Sequence, residues 1–192
     1  MPKYTSTSTP IDRLLARIES NNSFDAAPAW DFDPNNCESI DIKIVRDGTW
    51  FHEGRPIKRK NMSRLFSTVL RRSDDGRFFL ITPTEQFQIT VEDAPFTAVE
   101  LEVDGIGGDQ TLIFRTNLDH LIVAGQNHPI RVDRDAVTGE PKPYIVVRDE
   151  LEALILRPQF YQLVDIAEER KVGSKTIFGV WSATQYFELG EA

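Results

Sequence analysis

Apolar positions recur along the chain with two periods, and these divide it into elements. Ile11, Leu14, Leu15 and Ile18 share one face at helical spacing. Thr9 suits the N-cap before them, Pro10 the first helical position and Asp12 the positive helix end, so a helix is predicted over Pro10–Ser20. Phe24 to Glu38 holds Pro28 and Pro34 and shows no clean period; it reads as a surface loop pinned to the core by Trp30 and Phe32. Ile40, Ile42 and Ile44 alternate with Asp41, Lys43 and Val45, the pattern of a half-buried strand. Asp47-Gly48 signals a hairpin whose return strand is Thr49–His52, broken by Gly54 and Pro56. Met62, Leu65, Phe66, Val69 and Leu70 then form a helical stripe with Asn61 as its cap. Asp75-Gly76 marks a turn between that helix and strands at Phe78–Ile81 and across Phe87, Ile89 and Val91.

After Ala94-Pro95 the pattern is almost wholly that of strands. Val99, Leu101 and Val103 alternate with Glu100 and Glu102, a glycine turn spans Gly105–Asp109, and apolar runs follow at 111–116, 121–124, 130–132 and 144–147. Short strands at even spacing suggest a sandwich or a small barrel. Asp149 and Glu152 have capping-box spacing, which predicts a helical region from Asp149, kinked or restarted at Pro158 and continued by Phe160, Leu163, Val164 and Ala167. The tail, with Phe178, Trp181, Tyr186 and Phe187, fits a final strand or a docking segment equally well. The break near Asp93-Ala94-Pro95 separates a first half, 38–93, preceded by a helix and wrapping loop over 1–37, from a second half, 94–192. A short echo hints at duplication: Pro56-Ile57-Lys58-Arg59 follows His52, and Pro129-Ile130-Arg131 follows His128.

Composition adds limits. Of 192 residues, 40% are hydrophobic and 27% charged, enough for a packed core. A net charge of −8 argues against nucleic acid as a partner, because phosphate binding needs positive surface. Cys37 is alone, so no internal disulfide forms, and a lone thiol fits a reducing compartment. No apolar stretch has the length of a membrane span; a cytoplasmic protein without a membrane partner is expected. Charge is unevenly spread. Lys43 to Arg77 carries 10 basic and four acidic residues, a net +6, and the remainder is −14. Lys60, Arg64, Ser67 and Arg71 line one face of the second predicted helix, either to receive an anion or as a solvated face paired with acids of the other half.

Catalytic signatures are missing. Gly105-Ile106-Gly107-Gly108 opens no helix and reads as a hairpin turn rather than a phosphate loop. His52, His120 and His128 are not at metal-ligand spacing, and Asp31 and Asp33 read as loop caps. No serine has the glycine bracket of a nucleophile elbow. No catalytic residue, metal ligand or cofactor is therefore assigned, and the reading leans away from an enzyme.

Several strings together carry a resemblance. They are Asp47-Gly48-Thr49-Trp50-Phe51-His52 with Gly54 and Pro56-Ile57; Arg64-Leu65-Phe66-Ser67; Leu80-Ile81-Thr82-Pro83-Thr84-Glu85; Val91-Glu92-Asp93-Ala94-Pro95-Phe96; Phe114-Arg115-Thr116-Asn117; His128-Pro129-Ile130-Arg131-Val132; and Pro143-Tyr144 with Val147-Arg148, Leu151-Glu152-Ala153 and Arg157. Their order and spacing, across roughly residues 28 to 165, resemble the bacterial family of unknown function numbered 1285 (DUF1285). The resemblance implies an α+β fold: a duplicated core of two α+β halves, the second similar to a pleckstrin-homology-like β-barrel capped by a helix. It further implies a ligand site between the halves suited to a nucleotide-like molecule, and a link to signalling. No reaction comes with it.

The expected function is thus regulatory binding of an anionic, nucleotide-like small molecule. Arg55, Arg59 and Arg131 would meet its charge, Trp50 or Tyr144 would stack on its ring, and Thr82, Glu85 and Asn117 would read polar edges; His52 and His128 complete the candidate set. Two rivals stand beside it. One is a hydrolase of a phosphorylated or nucleotide substrate, using Glu92, Asp93 and His128. The other is a pleckstrin-type adaptor for a signalling protein, with an apolar patch from Phe178, Trp181 and Phe187.

Overall fold

The computed structural model describes residue 30 and residues 32–191. The helix expected over Pro10–Ser20 lies outside them. Two compact units divide the chain: residues 1–45 with 49–92, and residues 46–48 with 93–192.

The first unit holds β1 (Glu38–Ile44), β2 (Trp50–His52), β3 (Arg55–Pro56), α1 (Lys60–Thr68), β4 (Leu70–Arg72), β5 (Phe78–Ile81) and β6 (Gln86–Val91). They form a six-stranded sheet in the order β3-β2-β1-β6-β5-β4. Its central pair, β1 and β6, is parallel, and every other pair is antiparallel. The alternation in β1 buries Ile42 and Ile44 on the face that also carries Trp50 and Leu80, while Phe79 is buried on the opposite face. Helix α1 covers this core with Phe66, whose ring stacks on Trp50 at 6.0 Å. Phe32 packs on Phe79 at 5.3 Å, so the preceding loop is pinned at that ring.

Helix α1 is shorter than its stripe suggested. The hydroxyls of Ser67 and Thr68 donate back to the carbonyls of Arg64 and Leu65, and the chain leaves the helix at Val69 so that Leu70 can join a strand. The expected basic face is therefore split. Ser67 is fully buried, and Arg71 sits in β4, 8% exposed, with its guanidinium donating to the Thr68 and Leu70 carbonyls.

The second unit holds β7 (Phe96–Asp104), a 3₁₀ turn (Gly107–Asp109), β8 (Thr111–Thr116), β9 (Leu121–Val123), β10 (Ile130–Arg134), β11 (Pro141–Arg148), β12 (Leu151–Ile155), α2 (Arg157–Asp165), β13 (Glu168–Val172), β14 (Lys175–Ser182) and β15 (Gln185–Glu191). Its six-stranded sheet runs β10-β11-β12-β7-β8-β9, with β7 and β12 parallel at the centre, and β13-β14-β15 form a separate three-stranded sheet. Ser182 ties the two sheets together: its hydroxyl accepts from the Leu112 amide at 2.9 Å and donates to the Ala124 carbonyl at 2.7 Å. Gln110 adds a bond to the Trp181 carbonyl at 2.7 Å. Phe96, Leu112, Phe114, Ile145 and Leu151 fill the core.

Two expectations are overturned. No helix begins at Asp149. Asp149 and Glu150 take left-handed φ of 42° and 62° and form a two-residue hairpin turn, and Leu151, Ala153 and Ile155 are buried in alternation with Glu152 and Leu154. The helix starts later, at Arg157, with Pro158 in its first turn. The tail pairs likewise as a hairpin, β14 to β15, through Ala183 and Thr184. As a result the chain is not α+β: 51% of the described residues are strand and 13% helix, in two α-helices, with curled sheets. The expected pair of α+β halves, the second a pleckstrin-like barrel capped by a helix, gives way to two mostly-β units. The physical reason is that period-2 burial at 151–155 and 175–189 outweighed a capping motif whose stripe was never sustained. No helix among the described residues is long and apolar enough to cross a membrane.

Candidate binding site

The second unit contains an open cleft of about 550 Å³. One wall is apolar, from Leu154 and Leu156 at the end of β12, Phe160 and Tyr161 on the first turn of α2, and Pro141 and Pro143 on β11. The helix beside it begins at Arg157, and its Tyr161 is 58% exposed. The rim is charged, and each of its three cations faces an acid.

The three pairs differ in how firmly they are held. Lys142 lies 2.8 Å from Asp135, whose carboxylate also accepts the amides of Val137 and Thr138 at 3.0 and 2.9 Å. Lys142 first, then those amides, hold the Asp135 carboxyl well below the usual carboxylate range. This pair is part of the loop. Arg157 and Glu140 pair at 3.0 Å with side chains 74% and 62% exposed, so theirs is a loose surface contact. Arg46 Nε donates to Asp93 at 3.1 Å; the arginine is 63% exposed and the aspartate only 10%. Asp93 uses its other oxygen to accept the Tyr144 hydroxyl at 2.7 Å. Burial, then the bond to Asp93, pushes the Tyr144 phenol well above its ordinary range.

Behind Tyr144 stands Arg131, its guanidinium 4.3 Å from the ring centre. Glu152 grips it with two bonds of 2.5 and 2.7 Å, and Asp133 adds a third. Arg131 and Tyr144 are thus together, with Tyr144 joined to the cleft wall through Asp93. Asn117 and His128 are engaged with backbone: Asn117 accepts from the Thr97 amide and donates to the Gly48 carbonyl, and a ring nitrogen of His128 meets the Val146 carbonyl at 3.0 Å.

The other six expected residues belong to the first unit. Trp50 is 1% exposed, and its indole N–H has no partner among the described residues. His52 ends β2 opposite Arg55, and Arg55 and Arg59 are exposed. The Thr82 hydroxyl accepts the Glu85 amide at 3.1 Å and donates to its carbonyl at 3.2 Å, which closes a tight turn. Of the residues considered for hydrolysis, Glu92 pairs with Lys43 at 2.5 Å. The patch considered for an adaptor is largely covered: Phe187 is 8% exposed, and Arg170 lies 5.7 and 5.4 Å from the Trp181 and Tyr186 rings.

Sequence reasoning did not single out Arg46, Lys142 or Arg157 as site residues, whereas Tyr161, after Phe160, reads from the sequence as a candidate for a rim role with the core as its default place. The one local signal was proline: Pro141 and Pro143 flank Lys142, and Pro158 follows Arg157.

Sheet order and cleft together define a two-unit, mostly-β protein with its concave site inside the second unit. The family models agree with that division of material. Residues 27–94 match the model described as "Domain of unknown function (DUF1285), N-terminal domain", and residues 95–189 match "Protein of unknown function (DUF1285), C-terminal domain". The chain belongs to the DUF1285 family. A solved DUF1285 family protein from Silicibacter pomeroyi DSS-3 is 45% identical, with a TM-score of 0.82 over 93% of this chain and 95% of that one. A second, from Shewanella baltica OS155, is 25% identical, with a TM-score of 0.51 over 65% of this chain and 90% of that one. No curated protein matches the chain.

Proposed function

We propose that this DUF1285 protein binds an anionic, nucleotide-like small molecule in the cleft of its second unit and serves a regulatory role. The observation that carries the reading is an apolar wall with an exposed ring, Tyr161, next to two solvent-exposed arginines, Arg46 and Arg157, the second of them in a loose surface pair. An exposed pair such as Arg157–Glu140 is worth about 0–1 kcal/mol. Giving up so weak a pair costs little, which leaves the guanidinium available for a forked bond to a ligand's phosphate or carboxylate. Lys142 stays with Asp135 and shapes the loop. Ligand binding releases Glu140 and frees one oxygen of Asp93, the sort of local charge change that regulatory proteins use.

Thermal shift against nucleoside mono-, di- and triphosphates tests this. A true ligand at about 100 times its Kd stabilises the native state by about 2.7 kcal/mol, a rise of several degrees. Arg46→Ala with Arg157→Ala removes that rise without unfolding the protein. If none of the nucleotides raises the melting temperature of the folded wild type, the reading fails.

A further inference from the structure

We propose that the basic loop of the first unit, residues 55–60, is a docking surface for an acidic polypeptide segment of a partner protein. Four of its six residues are cationic, Arg55, Lys58, Arg59 and Lys60, and all four are exposed. Arg55, Lys58 and Arg59 have no ion-pair partner among the described residues, whereas Lys43, Arg46, Arg77, Arg115, Arg157 and Lys175 all have one. Cations left unpaired in a chain with 30 acids and 22 bases are not short of available carboxylates. What is particular to residues 55–59 is that three such cations fall within five positions.

The start of α1 carries a second, independent anomaly. Arg59 occupies the N-cap with no side-chain cap bond, Lys60 follows it, and the first turn has no acid. Cations there oppose the positive end of the helix, and a Ser or Asp at the cap would be better for the isolated fold. Places where a local rule is broken are where function is expected. Negative charge arriving from outside supplies the compensation.

The mode of contact follows from the strand beside the loop. β3 is a two-residue edge strand containing Pro56, which has no N–H to offer an added strand. Recognition is through side-chain charge. A short acidic segment meets only the loop, while a nucleic acid long enough to bind well also meets the rest of a chain that is net −14 outside 43–77. This surface lies in the first unit and does not depend on the ligand proposed for the second.

Fluorescence anisotropy with a labelled oligoglutamate peptide is the test. The wild type binds at low salt and loses affinity as salt rises. Arg55→Ser/Lys58→Ser/Arg59→Ser, all exposed positions, weakens binding about tenfold. Arg134→Ser/Lys171→Ser/Lys175→Ser, which removes as many cations from the second unit, leaves it unchanged. Arg59→Asp separates this role from a structural one: it supplies the missing cap, so the melting temperature rises while peptide binding falls. The proposal is overturned if the peptide does not bind at low salt, if both triple variants bind alike, if Arg59→Asp lowers the melting temperature or keeps full binding, or if oligo-dT or phosphatidylglycerol vesicles bind more tightly than the peptide.

Discussion

Between its third and fourth strands the first sheet carries the loop Ile57–Arg59 and helix α1, while the second sheet makes the same passage, β9 to β10, in the six residues 124–129. The second unit places its helix after the sixth strand instead, where α2 forms a wall of the cleft. Yet in both sheets two three-strand meanders meet at a parallel central pair, β1 with β6 and β7 with β12. Charge diverges as well: residues 93–192 carry 17 acidic and nine basic side chains, whereas Lys43 to Arg77 is net positive. The lesson is that strand order follows from the buried faces, and connections and charge are free to differ because they are solvated. The cleft and the basic loop are both features of connections.

The largest test of this comparison strikes the shared part. Trp50 on β2 and Phe114 on β8 occupy the second strand of their sheets, at 1% and 0% exposure. Truncating either to Ala costs about 3–5 kcal/mol in urea denaturation. A loss below about 1 kcal/mol at either would mean that its sheet does not close a core there. A smaller effect sharpens the difference between turns. Gly48 and Gly76 have nearly the same φ, 84° and 85°, but a Cβ at Gly48 would lie 2.5 Å from Asn117 Nδ2, while at Gly76 the nearest atom is 3.8 Å away. Both glycine-to-alanine changes pay the left-handed penalty of about 1 kcal/mol, and Gly48→Ala loses about 1–2 kcal/mol more by displacing Asn117. Equal losses would show that the Asn117 contact is slack. A gain is expected at Thr184, a β-branched residue at φ 65°: Thr184→Gly stabilises the β14–β15 turn by about 0.5–1 kcal/mol.

Much of the strand pattern was legible in the sequence because burial there is one-sided. Ile42 and Ile44, Phe87 and Ile89, and the runs at 111–116 and 130–132 all read as strands and are strands. Asp47-Gly48 and Asp75-Gly76 were readable as turns because glycine carries the positive φ. Asp149-Glu150 and Ala183-Thr184 take the same left-handed turn without glycine, so one was mistaken for a helix cap and the other left the tail undecided. The site was less legible than the fold. Arg46, Lys142 and Arg157 lie far apart in sequence, and nothing in their local pattern distinguishes them from other surface cations. What brings Lys142 and Arg157 together is the pairing of β11 with β12 and the start of α2 at Arg157, which follow the hairpin that was missed.

The smallest predicted effect concerns acid, and each unit has a turn carboxylate that shows it. In the first, Asp75 accepts Arg77 Nε at 2.8 Å, the Ser73 hydroxyl at 2.5 Å and the Arg77 amide at 3.2 Å. In the second, Asp135 is held by Lys142 and two loop amides. Both carboxyls lie well below the usual carboxylate range, Asp75 chiefly through the Arg77 side chain and Asp135 chiefly through Lys142. A depressed carboxyl favours the folded state at pH values above its unfolded pKa of about 3.9, and that contribution disappears as the pH falls through the folded value. The melting temperature therefore falls between about pH 5 and pH 2, modestly, since both groups are open to solvent. Asp75→Asn and Asp135→Asn each flatten the slope. The two share no partner, so the double variant flattens it by the sum. Parallel acid slopes in wild type and both single variants would show that these turn carboxylates are not held as their hydrogen bonds imply. A double variant flatter than the sum would show that the two units feel each other's protonation.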